Sequence, residues 1–172
     1  MKKEIKIEIA VFGMGCFWQP DYLFSRLPGV LKVEVGYMGG DETQDNLTYE
    51  EVCSDTTGHA EVVRIEYNPR RISYSELLEI FWKNHDSTQL NQQGPDVGSQ
   101  YRSAIFYFTQ EQKNLAEKSK QIVQKLLGKP VFTEIKESCK FYAAEDDHQK
   151  YLAKTGGVCH VSKLSALVNM RL

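Results

Sequence analysis

Residues 6–29 read KIEIAVFGMGCFWQPDYLFSRLPG, and this stretch decides how the fold begins. The apolar run in its first half predicts a β-strand over residues 6–13. Apolar residues at helical spacing then predict an α-helix over about residues 17–27, and Pro28-Gly29 marks the turn that ends it. The chain therefore opens with a strand that leads directly into a helix, and Cys16 lies at the junction.

Cys16 occupies a position that favours a reactive thiol. At the first turn of a helix, a cysteine faces backbone N–H groups without intrahelical partners and the positive end of the helix dipole, and both favour the thiolate. The thiolate is the form that attacks sulfur, so the position suits redox chemistry. The adjacent Phe17 and Trp18 offer an apolar wall that suits a thioether or a methyl group better than a charged substrate. The alternative is a buried structural cysteine beside core aromatic residues.

The rest of the chain alternates between strand and helix patterns. Strands are predicted over residues 30–37, 60–67, 103–108 and 131–135, helices over residues 73–84, 109–127 and 145–154, and one helical turn over residues 49–53. This order predicts an α+β fold of the ferredoxin-like class, a two-layer sandwich with helices packed on a mixed sheet. Residues 86–101 form a long polar loop, which is typical of a functional segment. Residues 155–172 show no periodicity and are expected to form an irregular tail.

Length and charge limit the classes of function. At 172 residues the chain has the length of one domain, and we expect a single catalytic domain over residues 1–172. Its net charge is −2 and its basic residues are scattered, so nothing indicates a nucleic-acid partner. No apolar run has the length of a membrane span, and Glu8 interrupts the segment that a signal peptide would need. We therefore expect a cytoplasmic monomer with neither a membrane nor a nucleic-acid partner.

The cysteines point to catalysis rather than to metal binding. Cys16, Cys53, Cys139 and Cys159 are widely spaced and contain no Cys-x-x-Cys pair. Structural zinc sites usually need closely paired ligands, so we expect no metal and no other cofactor. In a reducing cytosol such thiols stay reduced at rest, and each is either inert or catalytic.

Several blocks along the chain carry a resemblance to a known family. They are GCFW at residues 15–18, GYMGG at 36–40, TYEEVC at 48–53, TGHAEVV at 57–63, QYRS at 100–103 and AEDDHQKY at 144–151. In this order they resemble the peptide methionine sulfoxide reductases of the A type. The resemblance implies the same α+β core, the reduction of methionine S-sulfoxide in proteins and as the free amino acid, and thioredoxin as the electron donor.

The chain departs from the family pattern at a few positions. Met14 stands where the family usually has glycine, and Gln19-Pro20-Asp21 replaces the more common Gly-x-Glu after the tryptophan. Asp147 occupies an aromatic position of the late block. The tail carries one cysteine, Cys159, where many relatives carry two, which bears on how the enzyme would be regenerated.

Sulfoxide reduction needs a nucleophile at sulfur and an acid that protonates the departing oxygen. Cys16 is the natural nucleophile, because thiolates attack sulfur without an activating base. Glu61 lies in an apolar strand that would raise the pKa of a carboxyl, and the family's acid role maps onto this position. The strand pattern alone favours a surface position for Glu61, and the resemblance reverses this interpretation. His59 and His148 fall within matching blocks, and we interpret both as structural hydrogen-bonding residues.

The resemblance also implies a substrate pocket. Tyr49 and Tyr101 match phenols that hold the sulfoxide oxygen, and Asp96 matches a carboxylate that shapes the same pocket. Phe17 and Trp18 are assigned to the wall that receives the methyl group of the substrate. From the residues alone, each tyrosine is equally a half-buried structural residue and Asp96 a turn former.

Turnover would leave Cys16 as a sulfenic acid, which a second thiol converts to a disulfide. Cys159 is the first choice for this resolving cysteine, because it follows the glycine pair Gly156-Gly157 in the tail. We interpret Cys53 as a packing residue. The role of Cys139 stays open between relaying the disulfide to a reductant and being a spectator.

Two rival functions use the same residues differently. A cysteine peroxidase would use Cys16 and Cys159 on hydroperoxides, and it would need neither the Glu61 acid nor the aromatic wall. A ferredoxin-like binding module would contain a merely buried Cys16 and would not be an enzyme.

Overall fold

One mixed sheet of six strands organises the computed structural model, which describes residues 6–157 and 167–172. The strands are β1 (Glu8–Met14), β2 (Val30–Met38), β3 (Ala60–Tyr67), β6 (Ser103–Tyr107), β7 (Glu134–Glu137) and β8 (Tyr142–Ala143). Their spatial order is β7-β6-β1-β3-β2-β8, and every neighbouring pair is antiparallel except the parallel pair β6–β7. A separate short hairpin pairs β4 (Gln92–Gln93) with β5 (Asp96–Val97). The predicted α+β class with a mixed sheet is confirmed.

The helices begin and end at strong local signals. They are α1 (Trp18–Phe24), α2 (Tyr49–Cys53), α3 (Tyr74–Lys83), α4 (Gln110–Leu127) and α5 (Tyr151–Thr155), with a 3₁₀ turn at Ser99–Tyr101. Capping boxes start α2 and α3, in which Thr48 pairs with Glu51 and Ser73 with Glu76. Gly128 ends α4 in the left-handed conformation. The described residues contain no helix that is long and apolar enough to cross a bilayer.

Each face of the sheet is covered by a different part of the chain. One face packs against α1, α3 and α4, with Phe12 of β1 in ring contact with Phe24 and Phe81. The opposite face, which includes Val11 and Phe106, packs against the segment 139–141. Burial of each large apolar side chain stabilises the folded state by about 1.5–3 kcal/mol relative to leaving it exposed. The ends of β1 and β3 are therefore held rigidly, and the candidate site lies at these ends.

The structure corrects two predicted elements near the end of the chain. The strand predicted over residues 131–135 is β7, which begins three residues later, because the N–H groups of Val131 and Phe132 donate to Gln124 and Ser87 instead. The helix predicted over residues 145–154 is reduced to α5. Lys150 has a φ of 55°, a left-handed conformation that a helix cannot continue through.

Candidate active site

Cys16 lies at the point where β1 turns into α1. β1 ends at Met14, and Gly15 has a φ of 86°, which favours glycine. A Cβ at Gly15 would lie 2.6 Å from the side chain of Gln93, so the β4–β5 hairpin packs directly against this turn. α1 begins at Trp18, and Cys16 is therefore two residues before the helix rather than in its first turn. Its side chain is half-buried.

Glu61 is a buried carboxyl beside the backbone of this turn. It is the second residue of β3, is 1% exposed, and accepts a hydrogen bond from the backbone N–H of Phe17 at 3.0 Å. Burial raises the pKa of Glu61 to about 8, the Phe17 N–H acts against this rise, and the charge of Asp96 adds to it. At neutral pH the carboxyl is therefore protonated and able to donate a proton one residue away from Cys16.

The two predicted phenols lie in the same electrostatic environment. Burial raises the pKa of Tyr101 to about 12, and the charges of Glu61, Cys53, Asp96 and Cys16 act in the same direction. Burial also raises the pKa of Tyr49, with Glu61 among the further causes. Both phenols consequently stay protonated and can donate hydrogen bonds across the neutral range.

Asp96 reaches the site on the β4–β5 hairpin. It pairs with Gln93, whose side chain accepts from the N–H of Asp86 at 2.9 Å and donates to its carbonyl oxygen at 3.1 Å. Because Gln93 also packs on Gly15, the hairpin that carries Asp96 is fixed next to Cys16. The structure thus brings together Cys16, Glu61, Tyr49, Tyr101 and Asp96, which are far apart in sequence.

Phe17 and Trp18 contribute to the site differently. Phe17 is 1% exposed, and its ring lies 5.7 Å from that of Tyr37 in a small apolar cluster. Trp18 is only half-buried, and its indole stacks on Tyr151 at 3.9 Å with an interplanar angle of 15°. The indole N–H donates to Nδ1 of His148 at 3.3 Å. Trp18 is therefore a pre-oriented apolar surface, whereas Phe17 supports it from below.

Glu145 is a residue of the site that sequence reasoning missed. Its carboxylate accepts from the backbone N–H of Tyr49 at 2.8 Å and from the hydroxyl of Tyr37 at 3.1 Å. Burial alone would raise the pKa of Glu145, but these hydrogen bonds outweigh it and the pKa is lowered. Its signal in the sequence was its place in the block at residues 144–151.

The two histidines of the matching blocks have different surroundings. His59 is buried, its Nδ1 accepts from the N–H of Gly40 at 3.1 Å, and its Nε2 donates to the carbonyl of Asp41 at 2.9 Å. These bonds use both ring nitrogens within a loop. The ring of His148 instead lies 4.5 Å from Tyr49 and 5.5 Å from Phe17, so it is part of the aromatic wall.

Cys53 and Cys139 are poorer nucleophiles than a thiolate site requires. Cys53 ends α2 and Cys139 packs against the sheet face opposite the helices, and both are half-buried. Burial raises the pKa of each thiol. Cys159 lies outside the described residues. Within residues 6–157 and 167–172, no group of three or more His, Cys, Asp or Glu side chains is arranged to hold a metal ion.

Comparisons with known proteins show which family this chain is similar to. The family model for peptide methionine sulfoxide reductase matches residues 8–171. A peptide methionine sulfoxide reductase of Brassica napus is 52% identical over 149 residues, which is 87% of this chain but only 57% of that protein, so this chain spans little more than half of that relative. The MsrA of Methanococcus maripaludis strain C5 is 53% identical over 147 residues, 86% of this chain and 92% of that protein.

Solved structures show the same fold. The reduced form of Mxr1 from Saccharomyces cerevisiae has a TM-score of 0.86 at 32% identity and covers 93% of this chain and 92% of its own. Mxr1 has also been solved in complex with Trx2, and that structure matches in fold with a TM-score of 0.62 at 21% identity, over 95% of this chain and 94% of its own. From the family model and the identities above, this chain belongs to the peptide methionine sulfoxide reductase family, A type.

Proposed function

We propose that this protein reduces methionine S-sulfoxide, both in proteins and as the free amino acid, with Cys16 as the nucleophile and Glu61 as the acid. One observation carries the proposal. Glu61 is a buried carboxyl whose pKa is raised to about 8, and it is hydrogen-bonded to the backbone N–H of the residue that follows Cys16. A proton donor next to a nucleophile is what sulfoxide reduction requires, whereas a peroxidase has no need of such an acid.

The reaction transfers one oxygen atom from sulfur to sulfur. The Cys16 thiolate attacks the sulfoxide sulfur while Glu61 gives its proton to the sulfoxide oxygen. This attack forms a bond between Sγ of Cys16 and the methionine sulfur. That bond breaks again as the oxygen, now a hydroxyl, passes from the methionine sulfur to Sγ, which leaves methionine and a sulfenic acid at Cys16. The methionine sulfur gains two electrons, Cys16 loses two, and solvent returns the proton to Glu61. No external reductant is needed for this first step.

The pocket residues bind the two ends of the sulfoxide group. Tyr49 and Tyr101 donate hydrogen bonds to the oxygen, which gains negative charge as sulfur is attacked. Burial is the main cause of the raised pKa of Glu61, and the negative charge of Asp96 adds to it. Trp18, with Phe17 behind it, receives the methyl group.

Regeneration uses a second thiol and an external dithiol. We propose that Cys159 attacks the sulfenic acid and releases water, and that thioredoxin reduces the resulting disulfide. The complex of yeast Mxr1 with Trx2 supports thioredoxin as the reductant class. Cys53 and Cys139 are less suited to this step, because burial raises the pKa of both thiols.

The proposal extends to the architecture. The four strands β6-β1-β3-β2 lie in the order expected of a ferredoxin-like sandwich, with α1 and α3 as the two crossovers. This order supports the finer fold class and one catalytic domain over residues 1–172. A cytoplasmic location and a monomeric state stay predictions.

The experiment that tests the function is a Cys16→Ser substitution. An alcohol is too weak a nucleophile for this step, so a folded variant should form no methionine from methionine sulfoxide, and it should not turn over dimethyl sulfoxide. Circular dichroism confirms that the variant is folded. Normal turnover by the folded variant would contradict the proposal, and peroxide turnover far above sulfoxide turnover in the parent would favour the peroxidase.

A second substitution, Cys159→Ser, tests regeneration alone. We expect about one methionine per enzyme and a sulfenic acid that dimedone traps. Dithiothreitol-driven turnover should survive better than thioredoxin-driven turnover. If thioredoxin still drives turnover of Cys159→Ser but not of Cys139→Ser, the resolving cysteine is Cys139.

A further inference from the structure

Trp18 is held in place by a short segment from the far end of the chain. Its indole stacks on the ring of Tyr151 and donates to Nδ1 of His148. Both contacts come from residues 148–151, which comprise the end of a turn and the first residue of α5. The orientation of this part of the pocket therefore depends on what fixes that turn.

The turn has a backbone conformation that needs support. Lys150 precedes α5 with a φ of 55°, and no side chain caps the helix at this residue. A residue with a Cβ is strained in this conformation and keeps it only where the surrounding structure enforces it. Gln149 binds the N–H and the carbonyl of Val35, so the segment is tied to β2 at the residue before Lys150.

Asp21 supplies a second contact to this segment, at Lys150 itself. It lies in α1 three residues after Trp18, on the same face of the helix, and it is 2% exposed. Its Oδ2 accepts the backbone N–H of Lys150 at 2.6 Å. Thus α1 contacts the turn at two points, through the indole of Trp18 and through the carboxylate of Asp21.

We propose that Asp21 is a positioning residue for Trp18: by fixing the N–H of Lys150 it sets the backbone of residues 148–151, and these residues orient the indole that faces the substrate. This inference rests on the proposed function. It also gives a role to the segment Gln19-Pro20-Asp21, where the chain departs from the family pattern. Asp21 contacts neither the substrate nor Cys16 in this account and moves no proton.

Two substitutions separate positioning from charge. Asp21→Ala removes the acceptor, whereas Asp21→Asn keeps an oxygen that can accept the N–H of Lys150 but removes the charge. We expect Asp21→Ala to lower kcat/KM for methionine sulfoxide about tenfold, mainly through KM, and Asp21→Asn to recover most of the loss. Asp147→Ala is the matched control, because it removes an exposed carboxylate of the same turn, and it should change neither kcat nor KM.

A measurement independent of activity follows the indole itself. The chain has two tryptophans, Trp18 and Trp82, so a ¹⁵N–¹H spectrum shows two indole N–H signals, and a Trp18→Phe variant assigns them. Asp21→Ala should shift the Trp18 signal, which lies against the ring of Tyr151, and leave that of Trp82, which donates to Ser119. Asp21→Asn should return the Trp18 signal close to the parent position.

The closing experiment is a double-mutant cycle of Asp21→Ala with Trp18→Ala, scored on kcat/KM. If Asp21 acts through Trp18, Asp21→Ala has no further effect once Trp18 is alanine. Full additivity, or an unshifted Trp18 signal in Asp21→Ala, overturns the inference. If the parent does not reduce methionine sulfoxide at all, the proposed function fails, and the spectrum still decides whether Asp21 positions Trp18.

Discussion

Two glutamates form hydrogen bonds in neighbouring parts of the site, yet their protonation differs. Glu61 is buried in β3 and accepts one hydrogen bond, from Phe17, and its pKa is raised to about 8. Glu145 lies on an exposed turn and accepts from Tyr49 and Tyr37, and its pKa is lowered. One carboxyl is an acid at neutral pH, and the other is a carboxylate.

The difference shows which physical effect decides the role of a carboxyl. Removal from water destabilises the charged form of Glu61 by more than a single N–H bond restores. At Glu145 the donors are more numerous and water remains close, so the charged form is favoured. The same residue type therefore serves as a proton donor in one place and as an anchor for a loop in the other.

The largest expected difference between the two glutamates is in the rate of methionine formation after each is replaced by glutamine. Glu61→Gln should slow single-turnover formation of methionine by about 10²–10⁴, because it removes the general acid. Glu145 donates no catalytic proton in the parent, and the glutamine of Glu145→Gln keeps one oxygen that can accept a hydrogen bond. The single-turnover rate of this variant should therefore stay within about tenfold of the parent rate. The alkylation rate of Cys16 by iodoacetamide serves as a control and should be similar in both variants. Equal losses of rate in Glu61→Gln and Glu145→Gln would contradict the different roles assigned to the two carboxyls.

A smaller effect should appear in the pH dependence of stability. Because the pKa of Glu61 is raised on folding, the native state binds a proton that the unfolded state releases between about pH 4.5 and pH 8. As the pH rises through this window, the free energy of unfolding of the parent should therefore fall relative to that of Glu61→Gln, by about 1.4 kcal/mol per pH unit. Urea unfolding at pH 5, 6, 7 and 8 measures it.

The exchange at Glu145 should have the opposite sign. Because folding lowers the pKa of Glu145, its carboxylate stabilises the native state at pH values above the unfolded pKa, and this stabilisation is lost as the pH falls. The free energy of unfolding of the parent should therefore fall relative to that of Glu145→Gln only at acidic pH.

For Glu61, parallel curves of unfolding free energy against pH for the parent and Glu61→Gln would show that Glu61 is not protonated in the native state.

The sequence predicted those parts of the fold that local signals specify. The predicted bounds of β3 and α2 match the structure, and α3 lies within its predicted range. The capping boxes at Thr48 and Ser73 and the strand-forming residues of β3 act within a few residues of the chain. β7 and α5 were misplaced. Their limits depend on distant partners, such as Ser87 for Phe132 and Asp21 for Lys150.

The same distinction applies to the site. The family resemblance identified Cys16, Glu61, Tyr49, Tyr101 and Asp96, and the structure brings them together. The partners that support them, Glu145 for Tyr49 and His148 for Trp18, lie 96 and 130 residues away, and no spacing rule connects such pairs. The roles of these residues stay predictions until the variants are measured.

The most direct test of the central claim is the single-turnover rate of methionine formation against pH, for the parent and for Glu61→Gln. Deprotonation of the acid should make the parent rate fall about tenfold per unit above pH 8, near the pKa of Glu61. Glu61→Gln, already slow, should show no such decline. A parent rate that keeps rising above pH 9, or the same alkaline decline in both proteins, would contradict the assignment of Glu61 as the proton donor.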